Sequence, residues 1–173
     1  MKNKSLASFI IVNYNGEKYL PRLIKSILSQ STKSSEIIMV DNQSTDNSVD
    51  LVKQQFPTVK IVLSSNIGYG RGCNLGAKYS SGNYLIFLNP DTYLHVDYLK
   101  NITKSYQEKK QQSSNRLGCF NCKVAEFDTN PQKAPHLQGS LIDLFGNPRQ
   151  TNKPDRVNDS FLVFGTGLFI EKS

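Results

Sequence analysis

Apolar residues fall along the first two thirds of the chain in two alternating patterns. Short runs rich in β-branched side chains, Ser8-Phe-Ile-Ile-Val-Asn13, Glu36-Ile-Ile-Met-Val-Asp41, Val59 to Ser64 and Tyr84 to Leu88, are bounded by polar or glycine-containing segments. Runs of that length and make-up predict buried strands. Between them, apolar residues return every three or four positions: Leu20, Leu23, Ile24, Ile27 and Leu28 within Glu17 to Gln30, then Val49, Val52 and Phe56. That spacing predicts helices, the first with Pro21 in its tolerant first turn, the second capped by side chains from Ser44 to Asn47. A glycine-rich loop from Asn66 to Gly72 is expected to lead into a short helix ending near Ser80, and another helix is expected over Asp97 to Gln112.

Strands this apolar, each followed by a helix, predict an α/β fold: a mostly parallel central sheet with helices on both faces and right-handed crossovers. The alternation fades after residue 112. Gln111 to Asn115 is polar, Leu117 to Ala125 reads as a strand, and Glu126 to Asp159 reads as a long loop region with at most short elements. Strand character returns over Phe161 to Ile170, around Gly165-Thr166-Gly167. No repeat or convincing boundary divides the chain, so residues 1–173 are read as one domain, with portions 1–112 and 113–173.

A length of 173 residues with 38% hydrophobic and 20% charged side chains suits one core and excludes fibrous and wholly disordered classes. No apolar run approaches the ~18 to 20 residues of a membrane helix. Met1 to Ser8 carries lysines without a signal peptide's apolar core, and three cysteines make no secreted disulfide framework, so a cytoplasmic location is expected. Cys119 and Cys122 form a CxxC, but Cys73, His95 and His136 do not complete a zinc module, and the pair is read as strand residues. The net charge of +7 directs attention to polyanions, yet the 21 Lys and Arg are scattered. A solvated basic surface with attraction to anionic ligands or anionic lipid is expected, and nucleic acid is not.

In an open parallel sheet, ligands bind beyond the carboxyl ends of the strands. Each predicted strand ends in an unusual polar cluster: Asn13-Tyr14-Asn15-Gly16, Asp41-Asn42-Gln43-Ser44, Asn66-Ile67-Gly68-Tyr69-Gly70-Arg71-Gly72, and Asn89-Pro90-Asp91. The glycine cluster matches neither GxGxxG nor a P-loop. It offers either a tight turn or a loop whose backbone approaches a ligand, with Arg71 available to a phosphate and Asn74 to hydroxyls. Asp91 suits an octahedral Mg2+ or Mn2+ carried in by a diphosphate, or caps the segment near Thr92. Asp41 either caps the following helix or accepts hydrogen bonds from a nucleoside.

The four clusters in this order, from Ile10-Ile-Val-Asn-Tyr-Asn-Gly16 to Gly82-Asn-Tyr-Leu-Ile-Phe-Leu-Asn-Pro-Asp91, closely resemble family 2 glycosyltransferases of the GT-A fold, most of all rhamnosyltransferase-type members that build surface polysaccharides. The resemblance is strong over Ser8 to about Lys100 and weak over Phe161 to Ile170. It implies a GT-A, Rossmann-like domain with a nucleotide-sugar-binding portion over 1–112 and a partial acceptor-side portion over 113–173. Asn13, Tyr14, Asn15 and Asp41 would bind the nucleotide, and Asn66, Arg71 and Asn74 would line the nucleotide-sugar site. Asn89-Pro90-Asp91 would stand in for the family's DxD motif, leaving Asp91 as the main carboxylate for a divalent metal. Gly165, Thr166 and Gly167 would lie beneath the donor phosphates and acceptor.

The resemblance further implies a dTDP-, UDP- or GDP-sugar donor, a glycan or lipid-linked acceptor, and inversion at the anomeric carbon by general-base and electrostatic catalysis. With a lipid-linked acceptor, the basic surface would favour peripheral association with an anionic leaflet. The family's general base is an aspartate downstream of the segment resembling Phe161 to Ile170. None of Glu126, Asp128, Asp143, Asp155, Asp159 or Glu171 stands in a matching context, so the base is expected beyond Ser173 and the chain is expected to be truncated. A non-catalytic nucleotide-sugar binding module is the alternative.

Overall fold

The computed structural model describes residues 6–112, 120–121, 140–142, 148–150 and 167–172. Its elements are β1 (Ala7–Asn13), α1 (Leu20–Leu28), β2 (Ser35–Asn42), α2 (Ser48–Gln55), β3 (Lys60–Ser64), α3 (Tyr69–Lys78), β4 (Tyr84–Leu88), α4 (Tyr98–Gln112), β5 (Phe120–Asn121), β6 (Ser140–Ile142), β7 (Pro148–Gln150) and β8 (Leu168–Glu171). β1 to β4 pair in parallel, as expected for strands joined by helices, while β8 adds antiparallel to β4 and β5 antiparallel to β8. The sheet order is β3-β2-β1-β4-β8-β5, and β6 and β7 form a separate antiparallel pair.

Alternate residues of β1 face opposite layers. Phe9 and Ile11 pack with Leu23, Val52, Leu99 and Tyr106 beneath α1, α2 and α4. Ile10 packs with Cys73 and Ala77 of α3, and Ile38 and Val40 of β2 pack with Leu75 of α3. Covering both faces explains why every residue of β1 and β4 is buried. Each large apolar side chain sealed this way contributes about 1.5–3 kcal/mol.

Helix α3 corrects one expectation. Tyr69 to Gly72 are its first turn, not loop, so the connection from β3 ends at Gly68. Glycine's low helix propensity argues for a later start. Close packing overrides it: a Cβ on Gly76 would sit 2.4 Å from Ile10 Cγ2, and one on Gly72 2.8 Å from Val12 Cγ1. The capping expected of Ser44 to Asn47 at α2 is supplied by Asp46, since the N-cap residue Asn47 makes no side-chain capping bond. Asp46 accepts from the Ser48 amide at 3.1 Å and from the Ser48 hydroxyl. Burial pushes the Asp46 carboxyl up, but the bonds from Ser48 and the Glu17 amide outweigh it and hold it below its ordinary value.

At the amino end of the sheet, Glu36 Oε1 accepts from Ser8 Oγ (2.6 Å), Ser81 N (2.6 Å), Ser81 Oγ (2.8 Å) and Gly82 N (3.2 Å). Burial raises the Glu36 pKa, and these bonds together more than reverse it, so the group titrates below its ordinary value. β8 is fixed by Phe169, whose ring stacks on Tyr84 at 4.8 Å and lies 5.2 Å from Tyr106, and by Lys110 bonded to Glu171 at 2.6 Å. Of the strand expected over Leu117 to Ala125, Phe120–Asn121 is β5; Cys119 and Cys122 lie outside the described residues.

Candidate functional site

All four polar clusters meet at the carboxyl edge, and the bonds between them explain how. Asn13 and Asp41 are register partners at the ends of β1 and β2, 0% and 4% exposed. Asn13 Nδ2 donates to Asp41 Oδ1 (2.9 Å) and to Ser44 Oγ (3.0 Å), while Ser44 gives Asp41 its amide (3.0 Å, to Oδ2) and its hydroxyl (2.6 Å, to Oδ1). Asp41 is therefore the acceptor that closes the β2 turn. Ser44 Oγ also accepts the Asn15 amide at 2.9 Å, and Asn15 Oδ1 accepts the Thr45 amide at 2.7 Å. These reciprocal bonds hold Asn15 in the left-handed region at φ 52°, which asparagine tolerates better than most residues.

The β3 and β4 ends are drawn to the same place. Gln43, at φ 65°, accepts the Asn66 amide on its Oε1 at 3.2 Å, and Asn66 Oδ1 accepts the Gly68 amide at 3.3 Å. A Cβ on Gly16 would meet Asn13 Oδ1 at 2.2 Å and Pro90 Cβ at 3.0 Å, so the turns after β1 and β4 touch where only glycine fits. Asp91 is exposed in a turn closed by the Thr92 amide donating to Asn89 O at 3.1 Å. Gly167 joins the edge from β8: its amide donates to Phe87 O at 2.8 Å, and Tyr98 Oη donates to its carbonyl at 3.4 Å. Gly165 and Thr166 lie outside the described residues.

The expected site residues thus divide into two sets. Asn13 and Asp41 are buried scaffold, whereas Tyr14, Asn15, Asn66, Arg71, Asn74 and Asp91 are exposed, and Asn89 is half-buried. Arg71 and Asn74 stand one turn apart along α3. The polar cluster Asp41-Asn42-Gln43-Ser44 holds two further residues that the sequence gives no role of their own at the site, Asn42 and Ser44, the latter offered there only as a cap for α2. Strand alternation sends Asn42 to the face opposite Asp41, toward α3, where its Nδ2 would lie 3.5 Å from a Cβ on Gly72.

Two buried acceptors at this edge, Asn13 Oδ1 and Asn42 Oδ1, have no hydrogen-bond partner. A buried acceptor left unpaired costs about 1–3 kcal/mol, so such atoms are few in a folded domain and call for an explanation. They lie on opposite faces of the sheet, Asn13 Oδ1 against Gly16 and Asn42 toward α3, at the same carboxyl edge that carries the exposed Arg71 and Asp91. Nucleophilic thiol chemistry is disfavoured, because burial pushes the Cys73 thiol up. Among the described residues no group of three His, Cys, Asp or Glu forms a metal cage. Asp91 alone fits a different arrangement, in which Mg2+ or Mn2+ takes one carboxylate plus substrate phosphates.

Comparison with known proteins identifies the family and the fold. The model of the family Glycosyl transferase family 2 matches residues 8–161. An uncharacterized glycosyltransferase of Nostoc sp. is 38% identical over 104 residues, which cover 58% of this chain and 32% of that protein. Among solved structures, S. aureus TarS 1-349 superposes with a TM-score of 0.65 at 20% identity, covering 95% of this chain and 46% of that one. The same TarS fragment in complex with UDP-GlcNAc gives 0.60 at 22% identity, over 79% and 38%. The mannosyltransferase PcManGT from Pyrobaculum calidifontis, in complex with GDP-Man and Mn2+, gives 0.57 at 19% identity, over 72% and 37%. The likeness establishes a fold of the GT-A type. The chain spans about a third of the length of its Nostoc relative.

Proposed function

The chain belongs to glycosyl transferase family 2, and on that premise we propose that the carboxyl edge of its sheet holds the nucleoside diphosphate of a nucleotide-sugar donor. The observation that carries this reading is the interlocked Asn13, Asn15, Asp41 and Ser44 cluster, with two unpaired buried carbonyls at the strand ends. Asn13 and Asp41 hold the β1 and β2 turns in the shape that receives the nucleoside, Tyr14 offers its ring at the rim, and Asn42 offers an acceptor. Arg71, Asn66 and Asn74 face the diphosphate and sugar, and Gly167 underlies the phosphates on the acceptor side, a role the motif resemblance also assigns to Gly165 and Thr166.

Asp91, seconded by Asn89, would hold Mg2+ or Mn2+ together with the diphosphate. Bound there, the cation would offset charge on the departing nucleoside diphosphate. The acceptor, a glycan free or lipid-linked, then attacks the anomeric carbon with inversion while a carboxylate takes its hydroxyl proton. Glu171 is not that carboxylate: it pairs in register with Tyr84 at the far end of β4 and is tied to Lys110 and Tyr106. The motif resemblance favours dTDP-rhamnose among the donors, and the UDP-GlcNAc and GDP-Man complexes of the structural neighbours support nucleotide sugars as a class.

Calorimetric titration with dTDP, UDP and GDP, in Mn2+ and again in chelator, tests the reading. Binding of one nucleotide strengthened by Mn2+ is expected. Asp91→Asn should lose about tenfold in affinity in Mn2+ and nothing in chelator, as for one lost ligand. No binding of any of the three in either condition would overturn the proposal.

A further inference from the structure

The stretch from Lys18 to Ser35 contains no Asp or Glu, and Lys18, Arg22, Lys25 and Lys33 all lie in it. It folds as the surface helix α1 and its exit, and all four cations are exposed. Among the described residues, Lys18, Lys25 and Lys33 meet no carboxylate: Lys18 lies 5.5 Å from the Tyr19 ring centre, and Lys33 donates to Leu28 O at 2.9 Å. The segment 93–96 is strapped alongside. The Leu94 amide donates to Ser26 Oγ at 3.2 Å, Gln30 Nε2 to His95 O at 2.8 Å, and the Ser31 amide to Val96 O at 2.9 Å.

This strapping sets exposed apolar side chains among the lysines. Tyr19, Leu28, Tyr93 and Val96 are 46%, 47%, 54% and 44% exposed, and they are four of the seven large hydrophobics exposed among the described residues. Lysines that meet no carboxylate among the described residues, mixed with aromatic and aliphatic side chains on a helix without Asp or Glu, complement an anionic lipid surface, where each basic residue adds attraction and apolar side chains enter the headgroup region. The apolar face of α1 itself is spent in the core, with Leu20, Leu23, Ile24 and Ile27 buried. Contact must therefore be shallow and electrostatic.

We propose that α1 together with residues 93–96 is a docking face for an anionic bilayer surface. It stands on that face alone and does not depend on the donor-site reading. Co-sedimentation of the full chain with vesicles of equimolar phosphatidylglycerol and phosphatidylcholine, against pure phosphatidylcholine, tests it. The chain should pellet with the anionic vesicles only and be released by salt, as the screening length shrinks from about 10 Å at 0.1 M to about 3 Å at 1 M.

The triple variant Lys18→Glu, Lys25→Glu, Lys33→Glu should lose at least about a hundredfold in partitioning, at roughly fivefold per cation. Leu28→Ser with Val96→Ser should weaken it several-fold. A control carrying Lys53→Glu, Lys78→Glu and Lys109→Glu matches the net charge off this face and should retain most of the binding. Circular dichroism and nucleotide titration report the fold and the donor site of each variant separately. Equal loss in the control, equal pelleting with phosphatidylcholine, or self-association of the chain through α1 would overturn the proposal.

Discussion

At the amino end of the sheet Glu36 collects donors from Ser8, Ser81 and Gly82; at the carboxyl end Asp41 collects donors from Asn13 and Ser44. Both join elements far apart in the chain through one carboxylate. They differ in what is left over. Around Glu36 no buried side-chain atom lacks a partner, whereas beside Asp41 Asn13 Oδ1 and Asn42 Oδ1 do, and Asn15 and Gln43 hold positive φ. A network that spends every group stabilises; one that keeps acceptors and strained turns in hand is poised for something that is not protein.

The contrast is sharpest under mutation. Gly82→Ala should be the largest lesion, because its Cβ would lie 2.6 Å from the Ala7 carbonyl carbon and the Ser8 nitrogen, backbone that cannot yield. A loss of about 3 kcal/mol in denaturant unfolding is expected, with nucleotide affinity per folded molecule unchanged. Asp41→Ala should do the converse, costing about thirtyfold, roughly 2 kcal/mol, in nucleotide affinity even in chelator, because the β1 and β2 turns lose their common acceptor. Asp41→Asn, which keeps one acceptor oxygen, should recover part of it. If Asp41→Ala binds nucleotide like the parent, the carboxyl edge is only a second structural clasp.

Asn42→Ala separates idle from spent groups more finely. Its Oδ1 has no partner to lose, so stability should change by less than about 1 kcal/mol while nucleotide affinity falls several-fold. The smallest effect is in acid. Glu36 titrates lower in the folded chain than in the unfolded one, so its contribution is complete above the ordinary carboxylate value and is lost as pH falls through the lowered one. The stability gap between the parent and Glu36→Gln should therefore close in that window, and a gap independent of pH would show that the Glu36 charge is not what holds the corner.

Most of the frame was legible beforehand because it is written in local pattern. Tyr84 to Leu88 is β4 to the residue, β1 begins one residue earlier than expected, and β2 is one residue longer at each end. The start of α3 was misread because Gly70 and Gly72 look like loop until the sheet beneath them is known. The Glu36 corner left no signature, since Ser8 and Ser81 lie 28 and 45 residues from it, and nothing local marks Glu36 as more than the first polar residue of a strand. At the site, the clustering of strand ends was visible in the order of polar runs. The division of labour within them was not, because Ser44 can cap a helix or bridge Asn13 and Asp41, and only the register between β1 and β2 decides.

Amide hydrogen exchange with and without the nucleoside diphosphate and Mn2+ tests the contrast between the two ends most directly. The amides of Asn15, Ser44, Thr45 and Gly68, which close the carboxyl-edge turns, should slow on binding while those of Ser81 and Gly82 keep their rates. Slowing confined to Ser81 and Gly82, or no change at the carboxyl edge under saturating nucleotide, would contradict the account.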